Sequence, residues 1–165
     1  MKEIFTVENV TRIERGMVPK SAKMIVIQNN VTEIGDGAFA CYKDLRYVVI
    51  PSSVKYIGKA AFKGCSSLRA VEIPDSVSEI CDFTFYCCSN LRSVIIPNGI
   101  KMIGKAAFAG CPRIEAIEIP DSVTSIGDRA FGCCSMLESV KIEGTKKIGK
   151  NAFIGCPRLS IPRNR

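Results

Sequence analysis

Apolar side chains return at the same places along this chain every 23 residues: Leu45, Leu68, Leu91, Ile114 and Leu137 are 23 apart, and Leu159 follows after 22. Three places after each comes an apolar residue, and another two further on: Val48/Ile50, Val71/Ile73, Val94/Ile96, Ile117/Ile119 and Val140/Ile142, with Ile25/Ile27 ahead of them. A period of two predicts a short strand with one buried face. Pro51, Pro74, Pro97 and Pro120 close these strands, where a missing N–H interrupts no interior hydrogen bond. Next come an isoleucine column (Ile34, Ile57, Ile80, Ile103, Ile126, Ile148) and a turn glycine (Gly35, Gly58, Gly104, Gly127, Gly149), with Cys81 in the glycine's place once. Most units end in Ala-Phe-x-x-Cys, with variants at Thr84-Phe85 and at Tyr42, and this half predicts one or two helical turns with Phe and Cys on the inward face. The phenylalanine column is Phe39, Phe62, Phe85, Phe108, Phe131 and Phe153.

One such unit cannot bury its apolar face alone, so units must stack as a solenoid with strands about 4.8 Å apart. The repeats cover the whole chain and read as a single domain over 1–165. Residues 1–21 form a degenerate N-terminal capping repeat, 22–158 six repeats, and 159–165 a truncated C-terminal strand. The cap is recognisable because Ile4–Ile13 matches Ile25–Ile34 at an offset of 21 residues while lacking the Ala-Phe-x-x-Cys half.

The phrase Leu-x-x-Val-x-Ile-Pro-x-x-Val-x-x-Ile-Gly-x-x-Ala-Phe-x-x-Cys resembles the BspA-like, Treponema pallidum type of leucine-rich repeat. The resemblance implies an α/β leucine-rich-repeat solenoid, a right-handed superhelix with short parallel strands on one face and short helical or turn segments on the other. It also implies a bacterial surface or secreted protein that binds other proteins, in adhesion for example. The N-terminal Met1–Glu8 carries no apolar signal-peptide core, which favours a cytoplasmic chain or a fragment of a larger one. No stretch is long enough for a membrane span.

The nine cysteines divide into a repeat column (Cys65, Cys88, Cys111, Cys134, Cys156), a set one place earlier in alternate repeats (Cys41, Cys87, Cys133), and Cys81. Buried thiols acting as small apolar groups, disulfides between neighbouring coils and a metal site are three readings of this pattern. The odd count leaves at least one thiol free, and the chain has no histidine to serve as a zinc ligand. Mostly unpaired cysteines suit a reducing compartment. Gly64, Gly110 and Gly155 alternate with the Cys41 set, so the unit reads as a pair of repeats, a trace of duplication.

The net charge is +7. One column alternates in sign (Asp36, Lys59, Asp82, Lys105, Asp128, Lys150) and predicts an ion-pair ladder that would fix coil register. Arg46, Arg69 and Arg92 make a like-charged row on successive coils, followed by Glu115 and Glu138.

Strand residues between the buried ones face outward. In the first half of that face Tyr47, Val49 and Ile95 are apolar beside Glu72, with the arginine row adjacent; Tyr47 and Arg have the composition of binding hot spots. The candidate partner-binding residues are therefore Tyr47, Val49, Arg46, Arg69, Arg92, Glu72 and Ile95. With neither histidine nor tryptophan, and no nucleotide loop, nucleophile elbow or carboxylate pair, the chain reads as non-enzymatic, with no cofactor, metal or catalytic residue. The expected role is a protein–protein interaction module. The alternatives are an intracellular scaffold or regulator, and a binder of anionic polymers (nucleic acid or sulfated glycan) through the basic row. A homodimer through the C-terminal end is expected from the uncovered last strand.

Overall fold

The computed structural model describes residues 3–142, 144 and 146–160. Each coil contributes one strand to each of two faces. On the first face lie β1 (Ile4–Val7), β3 (Met24–Ile27), β5 (Tyr47–Val49), β7 (Ala70–Glu72), β9 (Ser93–Ile95), β11 (Ala116–Ile119) and β13 (Ser139–Ile142). On the second lie the two-residue strands β2 (Arg12–Ile13), β4 (Glu33–Ile34), β6 (Tyr56–Ile57), β8 (Glu79–Ile80), β10 (Met102–Ile103), β12 (Ser125–Ile126) and β14 (Lys147–Ile148). The paired strands run parallel and in repeat register, as in Ile25↔Val48 and Ile103↔Ile126. β1 and β2 pair with β3 and β4, so the worn first repeat lies in register on the first full coil.

The core is a set of one-residue columns. Phe39, Phe62, Phe85, Phe108 and Phe131 are fully buried, and successive rings from Phe62 onward stack nearly parallel with centroids 5.3–5.4 Å apart. Stacking at the coil repeat is a geometry aromatic rings favour. Tyr42 occupies the cysteine column in the first coil. Its ring meets Phe39 edge-on at 5.5 Å, and its hydroxyl donates to the Val18 carbonyl of the cap. A larger side chain is needed there because the cap supplies no phenylalanine beneath it.

The expected helical turns do not form, and among the described residues the solenoid contains strands and turns but no helix. The α/β expectation is therefore corrected to an all-β, parallel-strand solenoid. The reason lies in the backbone. Ala60, Phe83, Ala106, Arg129 and Asn151, two places past the turn position, have φ between 49° and 60°, in the left-handed region. Four places on, Cys41, Cys87 and Cys133 alternate with Gly64, Gly110 and Gly155, again at positive φ. A left-handed residue every fourth position ends any right-handed helix before it can propagate. The amides turn to the neighbouring coil instead: Ala60, Phe62 and Gly64 donate to the carbonyls of Asp82, Thr84 and Tyr86 at 2.7–3.0 Å. Those bonds offset the strain of the left-handed residues.

The Cys/Gly alternation, read from sequence as a trace of duplication, has a packing cause. A Cβ added at Gly110 would lie 3.0 Å from the Cys87 sulfur of the preceding coil, and Gly155 and Gly64 stand likewise to Cys133 and Cys41. A thiol in one coil leans over a bare backbone in the next.

The turn glycines mark a close approach. A Cβ at Gly104 or Gly127 would meet backbone of the preceding coil at 2.5–2.6 Å. That proximity lets Gly104 and Gly127 donate to the Ile80 and Ile103 carbonyls at 2.7 Å. Cys81 cannot come so close. Among the described residues no hydrogen bond joins its amide to the Ile57 carbonyl, and the second face divides there into β2-β4-β6 and β8-β10-β12-β14. The position accepts a side chain, as the sequence suggests, but the coils part to make room. Cys81→Gly is expected to close the gap and restore the bond. A net hydrogen bond of about 1 kcal/mol would slow amide exchange at position 81 roughly fivefold. Unchanged exchange there would show that the side chain does not hold the coils apart.

Candidate binding face

The outward residues of the first face are placed by strand alternation alone. Tyr47, Val49 and Ile95 are 45%, 46% and 58% exposed, and they share one face. Their inward neighbours Val48 and Val94 pack against the core.

Two shallow depressions lie at opposite ends of these strands. At the strand starts, a depression of about 330 Å³ is lined by Arg46, Arg69, Arg92, Arg113, Ser67 and Asn90. At the strand ends, a larger one of about 680 Å³ has Val49, Glu72, Ile73, Asp75, Ile95 and Asn98 among its lining residues. Tyr47 lies beside the first, where Arg69 Nη1 donates to its hydroxyl oxygen at 3.4 Å. The structure thus brings Arg46, Arg69 and Arg92 together at one end and Val49, Glu72 and Ile95 at the other.

Arg113 was not among the sequence candidates. It sits one place before the Leu column, in the series Asp44, Ser67, Asn90, Arg113, and only the stacking of coils brings it to the arginine row. A search for basic residues in adjacent columns would have found it.

The alternating Asp/Lys column works differently from the ion-pair ladder expected of it. Asp36, Asp82 and Asp128 each accept a hydrogen bond at Oδ1 from the backbone amide of Lys59, Lys105 and Lys150 in the next coil, at 2.7–2.8 Å. Among the described residues no ion pair joins that column. Side-chain pairs form elsewhere, between Lys23 and Glu3, Arg12 and Glu33, Lys141 and Glu118, and Arg158 and Glu138.

The cysteine column forms a ladder of thiols. Cys65, Cys88, Cys111, Cys134 and Cys156 each donate to the phenylalanine carbonyl of the preceding coil at 3.1–3.3 Å. Burial pushes Cys65 and Cys134 up to about 12, and raises Cys88 and Cys111 as well. Cys81, also buried, is pushed up to about 11 by desolvation and then by Glu79. These groups stay neutral at physiological pH, which suits packing and opposes nucleophilic or metal-binding roles. Among the described residues no cluster of His, Cys, Asp or Glu is arranged to hold a metal, and no helix is long and apolar enough to cross a membrane.

Residues 1–69 and 32–160 match the family model described as BspA type leucine rich repeat region, in six copies. Among solved structures, a leucine-rich repeat protein from Bacteroides ovatus is 30% identical with a TM-score of 0.79, over 92% of this chain and 46% of that one. The T. pallidum leucine-rich repeat protein TpLRR is 27% identical with a TM-score of 0.75, over 90% of this chain and 82% of its own. A leucine-rich repeat protein from Eubacterium ventriosum, at 23% identity and a TM-score of 0.79, matches in fold over 100% of this chain and 46% of its own. This chain therefore spans less than half the length of two of the three. No curated protein matches the sequence. The matched family and these structures indicate no catalytic activity.

Proposed function

Since this chain belongs to the BspA type leucine rich repeat family, we propose that it is a non-enzymatic protein-binding module that engages its partner through the first strand face of the second to fourth coils. The observation that carries this reading is the cluster of exposed Tyr47, Val49 and Ile95 flanking the two depressions. Large apolar side chains held rigidly on strands present contact area at little entropic cost. A rim of Arg46, Arg69, Arg92 and Glu72 supplies directional polar contacts around them.

The Tyr47→Ala/Val49→Ala variant is expected to weaken partner binding at least about tenfold while leaving the fold intact, because both side chains point outward. Affinity measured by surface plasmon resonance, with circular dichroism as the fold control, tests this. Unchanged affinity would move the contact surface off this face.

The family resemblance supports a setting at a bacterial surface, in adhesion. An intracellular scaffold is the second reading, favoured by the ladder of thiols bonded to carbonyls, an arrangement that needs reduced sulfur. Protease treatment of intact cells separates the two, since only a surface protein is digested. The expected C-terminal homodimer rests on residues 159–165, of which 161–165 lie outside the described residues.

A further inference from the structure

The column that starts each strand reads Glu3, Lys23, Arg46, Arg69, Arg92, Glu115, Glu138. Its ends are neutralised or acidic: Lys23 pairs with Glu3 at 2.5 Å, and Arg158 reaches Glu138 at 3.3 Å. The middle is not. Among the described residues none of Arg46, Arg69, Arg92 and Arg113 forms an ion pair, although Arg12, Lys23, Lys141 and Arg158 all do. Four guanidiniums lining one depression repel one another, and a stacked array with a period of about 4.8 Å keeps them close. Their planar forks fit carboxylates two bonds at a time.

The surroundings select among anions. Along the stack, the basic stretch ends at Glu115 and Glu138. Along the strands, it ends at Glu72 and Asp75, with Glu118, paired with Lys141, two coils further along the same outward column. A long nucleic acid or sulfated glycan laid in either direction would cross carboxylates. A short anionic patch would not. From Arg46 to Arg113 the basic stretch covers roughly 10–15 Å at the coil spacing. The depression that holds Val49 and Ile95 begins about 10 Å away, three strand residues on.

We infer that the partner of this face is a protein segment carrying a short cluster of Asp and Glu side chains that sits on Arg46, Arg69, Arg92 and Arg113, followed about 10 Å on by an apolar side chain that enters the Val49/Ile95 depression. This inference rests on the protein-binding reading and names the chemistry of the partner. Tyr47, whose hydroxyl is held by Arg69, stands between the two subsites and covers the apolar stem of the bound segment.

The test is selection of random dodecapeptides displayed on phage against the intact chain. The enriched peptides are then synthesised and measured by fluorescence anisotropy at about 150 mM salt, where loose counterion effects are screened. Enriched sequences are expected to combine clustered Asp/Glu with a nearby apolar residue. Their affinity is expected to fall roughly tenfold or more in Arg69→Gln/Arg92→Gln and to hold in Lys55→Gln/Lys101→Gln, which removes equal charge from the other face. A heparin octasaccharide and a single-stranded oligonucleotide serve as polyanion probes. Either of them binding more tightly than the peptides, with the same arginine dependence, would overturn the inference. Peptides lost in Tyr47→Ala/Val49→Ala but kept in Arg69→Gln/Arg92→Gln would overturn it too, while leaving the strand face as the binding surface. If no peptide is enriched, or none is affected by either variant, both readings fall.

Discussion

Replacing Phe108 by alanine is expected to destabilise the protein by about 3–5 kcal/mol, the usual cost of deleting a fully buried aromatic side chain. Phe108 is completely buried and stacks on both sides, on Phe85 and on Phe131, with centroids 5.3 Å away in each case. The neighbouring rings are fixed by their own coils and cannot collapse into the space, so the cavity term is felt in full. Phe153, at the end of the ladder, provides the comparison. It is only partly buried and stacks on Phe131 alone. Phe153→Ala should cost less than about half as much. Urea unfolding followed by far-ultraviolet circular dichroism measures both. Equal losses would mean that the rings do not act through their two-sided stacking.

Alkaline pH should unfold the protein more readily than ordinary lysine and tyrosine titration would. The ordinary thiol value is 9.0, and burial holds Cys65 and Cys134 at about 12 in the folded state, with Cys88 and Cys111 raised as well. Above pH 9 the unfolded chain gives up these protons and the folded one keeps them, so the unfolded state is favoured. The stabilisation is complete below the unfolded value and is lost as the pH climbs toward the folded one. At pH 10 Cys65 and Cys134 each remove about 1.4 kcal/mol, about 3 kcal/mol together, and the raised Cys81, Cys88 and Cys111 deepen the loss. That is a large part of a typical domain stability of about 5–15 kcal/mol. Urea midpoints at pH 8 and pH 10 under reducing conditions should show it. In Cys65→Ala/Cys134→Ala the pH-dependent loss should shrink by about 3 kcal/mol. The same loss in both proteins would rule out the thiol ladder as its source.

The columns facing inward were legible in the sequence because each repeats one apolar side chain in one place. Strand positions, the phenylalanine stack and the buried thiols follow from that repetition. The turn arc was not legible. Ala60, Ala106 and Arg129 are ordinary helix formers, and nothing local announces that they adopt a left-handed backbone; the hydrogen bonds to the next coil decide it. The Asp column could be read for its charge but not for its partner, since a carboxylate opposite a lysine finds the backbone amide nearer than the ammonium. For the proposed binding face, Tyr47, Val49, Glu72 and Ile95 were placed by strand alternation. Arg113 was missed because it joins the arginine row from another column.

Cooperativity in a one-dimensional stack is only as strong as its weakest junction. Cys81 marks such a junction: the second face is interrupted there between β6 and β8, and the first face, itself unpaired between β5 and β7 and again between β9 and β11, adds no ladder across it. The turn arc bridges it continuously, through the amides of Ala60, Phe62 and Gly64 and the contact of Phe62 with Phe85, while isolated bonds cross elsewhere, from the Arg69 amide to the Arg46 carbonyl and from the Ser76 hydroxyl to the Val54 carbonyl. The array is therefore two cooperative blocks joined most firmly along one edge, like a book held by its spine. Val49 stands on one page and Glu72 on the other. Anything bound across them ties the blocks together, and the energy of that contact is shared by every coil on both sides.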